Sequence, residues 1–369
     1  MRIALLAHPR HPIRPPFMGG MEAHSWHLAA GLMARGHDVT LFAAGDSDPA
    51  LKVHPVAPVH YEGQWPADLW HGTDALNAHT DGIWAAALPA IRNGGFDVVH
   101  NNTVHRFPPR LSRALRLPMV TSLHVPPFRV LKNAVHDSAA PWHMVTVTSR
   151  QQRERWWDDP PPTARVVPNG IDLAAWPFHP EGDGTAVWAG RIHPNKGTAE
   201  AARAARLAGV DLTIYGTIED RGYFEADVAP LLGEAVRYGG HLAGADLAAA
   251  LGRASVLLFT PMWDEPFGLA AVEALACGLP IAAFRNGAVE EVVGSCGRFA
   301  DPGDVEGLAK VLSEALKLSR SASRRRAEER FALTRMLDHY EALYAEAISA
   351  RDAAWPETSY SKLQLALSE

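Results

Sequence analysis

The sequence has few cysteines and no long apolar run, and both absences narrow its class. Only Cys277 and Cys296 occur among 369 residues, which excludes a disulfide scaffold and fits a reducing cytoplasm. No apolar run approaches the roughly 20 residues that span a bilayer. The first apolar run, in MRIALLAHPRHP, has only five residues and is shorter than that of a secretory signal peptide. We therefore expect a cytoplasmic protein.

The sequence also lacks a strong charge of one sign. Residues 1–175 carry 16 Lys+Arg and 14 Asp+Glu, and residues 176–369 carry 19 and 27, so their formal charges are +2 and −8. Neither half has the basic composition of a nucleic-acid binder, whereas an anionic acceptor or a peripheral membrane contact stays open for the first half. Zinc-ligand spacings, a Walker loop, G-x-S-x-G and G-x-G-x-x-G are missing too, which disfavours zinc sites, serine hydrolases and dehydrogenases.

What the sequence does contain is a regular alternation of short apolar runs and longer helical patterns. The alternation indicates parallel sheets covered by helices, and it is interrupted over residues 166–186, where Pro, Gly and Asp cluster. We expect two doubly wound α/β domains that face each other across a cleft, which is the default ligand site. The predicted strands are Arg2–Ala7, Val39–Ala43, Val98–His100, Val120–Leu123, Met144–Thr148, Ala186–Ala189, Leu212–Tyr215, Val236–Tyr238, Val256–Phe259 and Ile281–Ala283.

The domain boundaries follow from the same pattern. The first domain is predicted over residues 1–175 and the second over 176–335, followed by a helix over 336–355 that packs back toward the first domain and a tail over 356–369. Residues 304–350 are predicted to form two long helices, and the basic cluster SRSASRRRAEER within them is interpreted as a solvated helix face, with an anionic surface contact as the alternative.

Two loops carry residues suited to phosphate. Gly19 and Gly20 stand between the first strand and the first helix, where the backbone can approach a ligand at the positive end of the helix. In VWAGRIHPNKGTAEAARAA, Arg191 follows a strand and Lys196 precedes a helix, so that both cations occupy one loop. Such a pair can neutralise a diphosphate, although an ordinary turn and two surface cations are the alternatives.

The segment DEPFGLAAVEALACGLP places two carboxylates in apolar surroundings. Glu265 is predicted to lie in a loop, and Glu273 on the helix that starts near Gly268, about 7–8 Å further along the helix axis. A buried carboxylate needs hydrogen-bond donors from protein or ligand, and sugar hydroxyls are such donors. The offset favours binding of one elongated ligand over proton transfer by the pair.

Other candidates have weaker support. His124 ends a strand in TSLHVPP, but 14 of the 18 histidines lie in the first 175 residues, so a structural role is the default for each. Asp46 and Asp48 resemble a metal-binding D-x-D, yet no further ligand stands nearby and a polar turn is favoured. Four aromatic residues could face an acceptor or belong to the core. They are Tyr61, Trp65, Trp70 and Trp84.

The combination of these motifs resembles the retaining glycosyltransferases of family 4, which have the GT-B fold. The matching features occur in the family's order from Met1 to about Ala350: GGMEAH, the LH of TSLHVPP, VVPNGID, AGRIHPNKG, and the E-x7-E segment EPFGLAAVE followed by ALACGLP. The last two features are the specific ones. The resemblance implies a hexosyltransferase that takes a nucleoside-diphosphate sugar as co-substrate, with no cofactor and no metal. A UDP-sugar is favoured and GDP-mannose is second.

The resemblance also implies roles for individual residues in binding the donor. Arg191 and Lys196 would hold its diphosphate, and Glu273 would bind its ribose. The backbone of Gly19 and Gly20 would approach the diphosphate from the other domain. His241 and Leu242 would hold the nucleobase.

At the sugar end, Glu265 would bind the hydroxyls, assisted by the backbone amides of Phe267, Gly268 and Leu269. His124 resembles the family histidine that contacts the transferred sugar, and Val125 stands where the family often has an acidic residue. His124, Arg191, Lys196 and Glu265 are thus the expected catalytic residues.

The resemblance further implies attack on the face from which the diphosphate departs, with a phosphate oxygen accepting the proton of the acceptor. The acceptor stays unidentified among a saccharide, a natural product and a lipid-linked compound, and the oligomeric state stays open. A nucleotide-sugar epimerase of the same fold and a non-enzymatic ligand-binding module are the alternative functions.

Overall fold

The computed structural model describes residues 1–354, apart from the side chains of residues 67 and 68. The chain forms two compact units. The first comprises Met1–Val147, Arg153–Val167 and the last helix from Leu337 onward, and the second comprises Thr148–Gln152 and Pro168–Met336. The boundary expected after residue 175 therefore lies inside the second unit, to which residues 148–152 also belong. The predicted tail, residues 356–369, lies outside the described residues.

The first unit contains a seven-stranded parallel sheet in the order β3-β2-β1-β4-β5-β6-β7. After β3 the chain continues on the opposite side of β1, so β1 and β4 flank the point where strand order reverses. The strands are β1 Arg2–Ala7, β2 Asp38–Ala44, β3 Val53–Ala57, β4 Val98–Asn102, β5 Met119–Leu123, β6 His143–Val147 and β7 Ala164–Val166.

The second unit contains a six-stranded parallel sheet in the order β10-β9-β8-β11-β12-β13. Here β8 and β11 flank the reversal, so the loops that follow these two strands lie side by side at one edge of the sheet. The strands are β8 Ala186–Ala189, β9 Leu212–Tyr215, β10 Val236–Tyr238, β11 Val256–Phe259, β12 Ile281–Phe284 and β13 Gly297–Ala300.

Helices cover the faces of both sheets, as parallel strands require. Among the described residues they are α1 Gly20–Ala34, α2 Ala67–Trp70, α3 Asp74–Asn93, α4 Phe107–Leu115, α5 Arg129–Asp137, α6 Arg150–Trp156, α7 Thr198–Ala208, α8 Arg221–Tyr223, α9 Gly244–Arg253, α10 Leu269–Cys277, α11 Val289–Val293, α12 Val305–Ala315, α13 Arg320–Phe331 and α14 Leu333–Ala354. None of these helices is long and apolar enough to cross a membrane.

Burial explains why the central strands are so apolar. In the first unit, Trp84 of α3 packs with Leu6 and Phe42 on one face of the sheet. In the second, α10 and α13 cover one face and α7 and α12 the other. The two doubly wound domains expected from the sequence are thus confirmed, with each predicted strand found to within two residues.

Three strands were not predicted, and all three lie at sheet edges, where the apolar pattern is weakest. β3 contains Pro55, which an edge strand tolerates because one side of it needs no ladder hydrogen bonds. β7 has only three residues at the opposite edge, and β13 follows a 3-10 turn at the edge of the second sheet. Short, half-exposed strands lack the apolar runs that reveal central ones.

The prediction of two long helices over residues 304–350 is wrong, because the structure has three. α13 begins after Ser319, whose hydroxyl accepts a hydrogen bond from the amide of Ala322, and it ends at Ala332, whose backbone is extended. Ser319 and Ala332 thus mark the two ends of α13. The helix boundaries were not predicted because neither is marked by a glycine or proline. From Leu337 onward, α14 packs in the first unit, where Asp338 Oδ1 lies 2.8 Å from Nη1 of Arg35.

The interpretation of the basic cluster as a solvated face holds for Arg325 and Arg330, which are exposed, but is wrong for three other arginines of the cluster. Arg320 donates to the carbonyls of His179 and Ala254 at 2.8 and 2.7 Å. Arg324 donates to the carbonyl of Trp176 at 2.7 Å, and Arg326 donates to carbonyls at the end of α11. These guanidinium groups satisfy backbone acceptors that helix and strand ends leave open, which is a structural use of their charge.

Candidate active site

The candidate site of the second unit lies at the carboxyl ends of β8 and β11, where strand order reverses. Arg191 and Lys196 lie in the loop that follows β8, and Glu265 lies in the loop that follows β11. Ligands of open parallel sheets bind at this place, since the loops there diverge and leave a crevice. The topology therefore brings together two sequence motifs that are about 70 residues apart.

Lys196 and Glu265 form an ion pair. Nζ of Lys196 lies 2.7 Å from Oε2 of Glu265, and the indole N–H of Trp263 donates to the same oxygen at 2.8 Å. Nζ also lies 4.9 Å from the centre of the Trp263 ring, which is a cation–π distance. One carboxylate oxygen thus takes two donors, and within residues 1–354 no hydrogen bond reaches the other oxygen, Oε1.

Arg191 is paired differently. Its guanidinium forms an ion pair with Glu219, which stands shortly after β9 at the same edge of the sheet. A guanidinium has five N–H donors in a plane, so it can keep this partner and still bind a phosphate oxygen. The structure does not pair Arg191 with Glu265, and the two cations of the loop therefore have separate carboxylates.

Thr260 fixes the two loops to each other. Its hydroxyl lies 2.9 and 2.8 Å from the carbonyls of Lys196 and Gly197 and accepts a hydrogen bond from the indole N–H of Trp188 at 3.0 Å. Next to it, the amide of Met262 donates to the carbonyl of Asn195 at 2.8 Å. These bonds explain how Lys196 reaches Glu265.

The start of α10 offers unoccupied donors. Gly268 is its N-cap with φ +88°, a conformation that favours glycine, and no side chain caps the helix. Within the described residues the backbone amides of Phe267, Gly268 and Leu269 donate no hydrogen bond. The Phe267 side chain is buried against Phe331, so only its backbone faces a ligand. Unpaired amides at the positive end of a helix suit an anion or hydroxyl oxygens.

The backbone of Glu265 is held by the loop that follows β12. The amide of Ala288 donates to the carbonyl of Glu265 at 2.8 Å. The neighbouring residue, Gly287, has φ +63°, and a Cβ placed on it would overlap the backbone nitrogen and oxygen of Glu265. Only glycine permits this close approach.

Glu273 lies on α10, five residues past Gly268, in apolar surroundings as expected. Burial raises the pKa of its carboxyl to about 7. In the described part of the chain its carboxylate forms no salt bridge or hydrogen bond. A hydroxyl-bearing ligand would supply the donors that the protein does not.

His241 and Leu242 follow β10, two strands away from β8, at the same edge of the sheet. The His241 side chain is exposed, and no contact in the described residues joins it to Lys196 or Glu265. Since all six strands are parallel, this loop nevertheless lies on the side of the sheet where the other candidate residues are found.

In the first unit, Gly19 is the N-cap of α1. Its φ of −163° and ψ of 178° describe an extended backbone that any residue adopts, so no special conformation requires glycine. A Cβ on Gly19 would lie 3.0 Å from Oε2 of Glu22, the end of a flexible side chain that can move aside, so space does not require glycine either. Gly20 opens the helix.

His124 follows β5 of the first unit. Burial lowers its pKa to about 4, so the imidazole is neutral near pH 7. Its ring centre lies 4.3 Å from that of His24, which in turn contacts Tyr340 at 5.9 Å. Its Nε2 atom is buried and has no hydrogen-bond partner within residues 1–354, which leaves this atom free for a ligand.

Two further candidates turn out to be structural. Asp46 accepts hydrogen bonds from the backbone and ring of His60, and Asp48 accepts one from the indole of Trp26 at 2.8 Å, so the D-x-D carboxylates hold loops together. Trp84 belongs to the hydrophobic core, with 1% of its surface exposed. Tyr61 is buried as well, whereas Trp65 and Trp70 are partly exposed and pack against each other.

Several residues of the site were missed by sequence reasoning. They are Trp263, Glu219, Gly287 and Thr198, whose buried hydroxyl at the start of α7 has no partner among the described residues. Each lies in a loop or helix start that follows a strand at the same edge of the second sheet. That position was a usable signal for Trp263 and Glu219, but the overlap of Gly287 with Glu265 depends on loops that only the fold brings together.

Comparison with known proteins agrees with this architecture. A family model described as "Glycosyltransferase Family 4" matches residues 18–175, and one described as "Glycosyl transferases group 1" matches residues 175–331.

Two curated relatives match nearly the whole chain. Glycogen synthase of Mycobacterium tuberculosis (strain ATCC 25618 / H37Rv) is 30% identical over 92% of this chain and 91% of its own. The MMP alpha-(1->4)-mannosyltransferase of Mycolicibacterium hassiacum is 29% identical over 96% of this chain and 100% of its own.

Among solved structures, that of Anabaena HepE in complex with UDP and glucose has a TM-score of 0.72 at 19% identity. The match covers 94% of this chain and 99% of that one. At this identity the likeness concerns the fold, which is GT-B.

Proposed function

Because the chain belongs to the family 4 glycosyltransferases, which have the GT-B fold, we propose that it transfers a hexosyl residue from a nucleoside-diphosphate sugar to an acceptor. The observation that carries this proposal is the group of residues at the reversal point of the second sheet. There Lys196 and Glu265 meet beside the three unpaired amides at the start of α10. Cations, a carboxylate and free amides are the groups that a charged, hydroxyl-rich donor needs.

Each end of the donor has a suitable partner. The diphosphate would lie against Lys196 and Arg191, and Glu265 Oε1 would accept a hydroxyl of the hexose. Glu273 would accept the ribose hydroxyls, which explains why the chain places an otherwise unpartnered carboxylate in an apolar helix. The nucleobase would lie near His241 and Leu242.

Charge develops on the diphosphate as the bond to the anomeric carbon breaks. Lys196, Arg191 and the positive end of α10 would stabilise this charge without having to reorganise. In this proposal the two cations and the helix take the place of a metal ion at the leaving group, so we expect no requirement for a divalent cation and undiminished turnover in the presence of a chelator.

Retention of anomeric configuration is part of the proposal and is supported by the match to family 4. The acceptor would attack from the face that the diphosphate leaves, and a phosphate oxygen would take its proton. The anomeric coupling constant of the product, measured by NMR, tests this, since an inverted product contradicts it. The roles of Gly19, Gly20 and His124 toward the donor rest on the family resemblance.

A UDP-sugar is the first choice of donor and GDP-mannose the second. HepE was solved with UDP and glucose, which supports the first, while the M. hassiacum relative is described as a mannosyltransferase, which supports testing the second. The acceptor is unidentified. Trp65 and Trp70, which are partly exposed, are candidates to hold it, whereas the buried Trp84 is not.

The test begins without an acceptor. UDP-glucose, UDP-N-acetylglucosamine and GDP-mannose are incubated with the protein, and nucleotide release and thermal stabilisation are measured. Release of nucleotide is expected from one donor, and Glu265→Gln should abolish most of it. Isomerisation of the sugar without release would indicate an epimerase. Stabilisation without turnover by any donor or acceptor would indicate a binding module. No effect of any UDP or GDP compound would overturn the proposal.

A further inference from the structure

A short segment from the first half of the sequence contacts the loop that carries Glu265. Thr148–Gln152 belongs to the second unit, although the strand β6 before it and the residues after it belong to the first. The Thr148 hydroxyl lies 2.9 Å from the carbonyl oxygen of Pro266, and the Ser149 hydroxyl lies 3.1 Å from the same oxygen. Pro266 directly follows Glu265, so these hydroxyls fix the backbone beside the proposed sugar-binding carboxylate.

The hydroxyls of Thr148 and Ser149 can each donate to the same carbonyl oxygen. Oγ1 of Thr148 also lies 2.9 Å from Oε1 of Gln152, and a hydroxyl has one proton to donate at a time. When Thr148 donates to Gln152, Ser149 can still donate to the Pro266 carbonyl. All three side chains are buried, so no bulk water is available to replace a lost donor.

Further hydrogen bonds hold the segment and the other side of the loop. Nε2 of Gln151 donates to Oδ1 of Asp264 at 2.9 Å, on the residue before Glu265. The carboxylate of Glu291, from α11, accepts the backbone amides of Arg150 and Gln151 at 2.9 and 3.2 Å. The segment is therefore fixed at its own backbone and contacts the loop on both sides of Glu265.

We infer that Thr148, Ser149 and Gln151 are positioning residues that hold the Glu265 carboxylate in the orientation in which it binds the transferred sugar. The inference rests on the proposed function, because that function assigns the sugar hydroxyls to Glu265. The three residues touch the loop from the side of Asp264 and Pro266, so their effect on a donor passes through Glu265. Misplacing a binding group by about 1 Å can cost a hundredfold in rate, so a fixed loop has a functional consequence.

The first experiment separates the sugar from the nucleotide. Kinetics of nucleotide release are measured with whichever of UDP-glucose and GDP-mannose the wild type turns over, and affinity is measured with UDP or GDP alone. For Thr148→Val and Ser149→Ala we expect kcat to fall about threefold each, because the remaining hydroxyl can still donate to the Pro266 carbonyl. For the double variant, which has neither hydroxyl, we expect a fall of more than tenfold. Nucleotide affinity should change less than twofold, since UDP and GDP carry no hexose.

Two further variants keep the test independent of folding. Thr148→Ser retains the hydroxyl and should restore wild-type kcat. Gln151→Ala alters a side chain that is only partly buried, so this variant should fold, and we expect kcat to fall about threefold. The matched control is Thr146→Val, two residues upstream, which removes a buried hydroxyl that donates to Ser122 at 2.9 Å and does not contact the loop. It should lower the melting temperature and leave kcat unchanged.

A readout without substrate completes the test. The Trp263 indole N–H bonds to Glu265, so its NMR resonance, assigned with Trp263→Phe, reports the position of the carboxylate. We expect this resonance to shift in the double variant and not in Thr146→Val. Equal kcat and an unshifted resonance in the double variant would overturn the inference and leave the proposed function standing. A wild type that neither binds nor turns over any nucleotide sugar would overturn both.

Discussion

The two units use buried polar groups in different ways. The first unit places histidines and hydroxyls inside its sheet, where His100 Nδ1 accepts from Tyr344 at 2.6 Å and His143 Nε2 accepts from Thr121 at 2.8 Å. The second unit has an interior rich in alanine and valine, and the charged residues of its candidate site lie in the loops that follow the strands.

This difference separates polar groups that hold the fold from polar groups suited to a ligand. Burial lowers the pKa of His8 and His100 to about 3 and that of His124 and His143 to about 4, so all four are neutral near pH 7. In the second unit, Glu273 is partly buried without a salt bridge or hydrogen bond among the described residues, and its pKa is raised to about 7. Most of the neutral histidines are satisfied by protein, whereas Glu273 needs a partner from outside.

The largest effect is expected from Gly287→Ala in the second unit. Gly287 has φ +63°, and the new Cβ would overlap the Glu265 backbone, so the loop that carries Glu265 must move. Nucleotide release should therefore fall about a hundredfold or more. The free energy of unfolding should fall by about 3 kcal/mol. Steady-state kinetics and urea unfolding measure the two effects.

The control for this variant is Gly303→Ala. Gly303 has a comparable φ of +83°, but its Cβ position is open. This substitution should cost about 1 kcal/mol and leave turnover intact. If both variants lost activity equally, backbone strain alone would account for the result and the contact with Glu265 would be irrelevant.

The second largest effect is a loss of stability of the first unit at acid pH. The four neutral histidines of the first unit take up a proton near pH 6.5 when unfolded and only near pH 3–4 when folded, so their contribution to stability is intact above about pH 6.5 and is lost as the pH falls toward 4. Each can cost about 1.4 kcal/mol per pH unit in that window.

Amide hydrogen exchange at pH 7 and pH 5, corrected for the intrinsic rate, localises this loss. We expect β4, β5 and β6 of the first unit to lose protection first, while β8 and β11 of the second unit keep theirs. Earlier loss in the second unit would remove the distinction between the two interiors.

A smaller effect of opposite sign is expected from Glu273→Gln. The folded pKa of Glu273 lies above its unfolded value of 4.5, so ionisation penalises the folded state as the pH rises through about 7. At pH 8 the variant should therefore be more stable than the wild type by about 1–2 kcal/mol, and equally stable below pH 4.5. Thermal unfolding at pH 4 and pH 8 measures this.

The same variant should bind UDP about tenfold more weakly, because a neutral amide is the poorer acceptor for ribose hydroxyls. Calorimetry in buffers of different ionisation enthalpy should also show that the wild type releases a proton on binding UDP near pH 6.5. A stabilised variant with unchanged UDP affinity would mean that Glu273 is buried without a role at the donor.

The smallest effect is expected from Tyr344→Phe in the first unit. It removes the hydroxyl that donates to His100, and the buried Nδ1 then lacks a donor. The free energy of unfolding should fall by about 1–2 kcal/mol, with kcat unchanged. A fall in kcat at unchanged stability would place α14 in the catalytic machinery and contradict a purely structural network.

The fold was predictable to the extent that its strands are central and apolar. β1, β8, β9 and β11 were found residue for residue, because central strands covered on both faces are mostly apolar. The edge strand β10 was also found, although it contains the exposed Arg237. β3 and β7 were missed because edge strands need fewer apolar residues. The break between α13 and α14 was missed because an extended alanine leaves no signal in composition.

The candidate site was predictable as two motifs but not as one arrangement. The loop cations and the carboxylates stand out in the sequence because each contrasts with its apolar surroundings. Their partners do not, since Gly287 and Thr148 are ordinary residues until the fold places them beside the loop that carries Glu265.

The sequence by itself determined the class of this protein, because the strand periodicity, the two cations of AGRIHPNKG and the two carboxylates of EPFGLAAVE are local properties of the chain. Only the tertiary structure decided which charges are paired and which are free to meet a ligand. Lys196 pairs with Glu265, and arginines of α13 such as Arg320 donate to backbone carbonyls. Glu273 is left without a salt bridge among the described residues. The physical reason is that hydrogen bonds and ion pairs depend on distances that parallel sheets set between residues far apart in sequence.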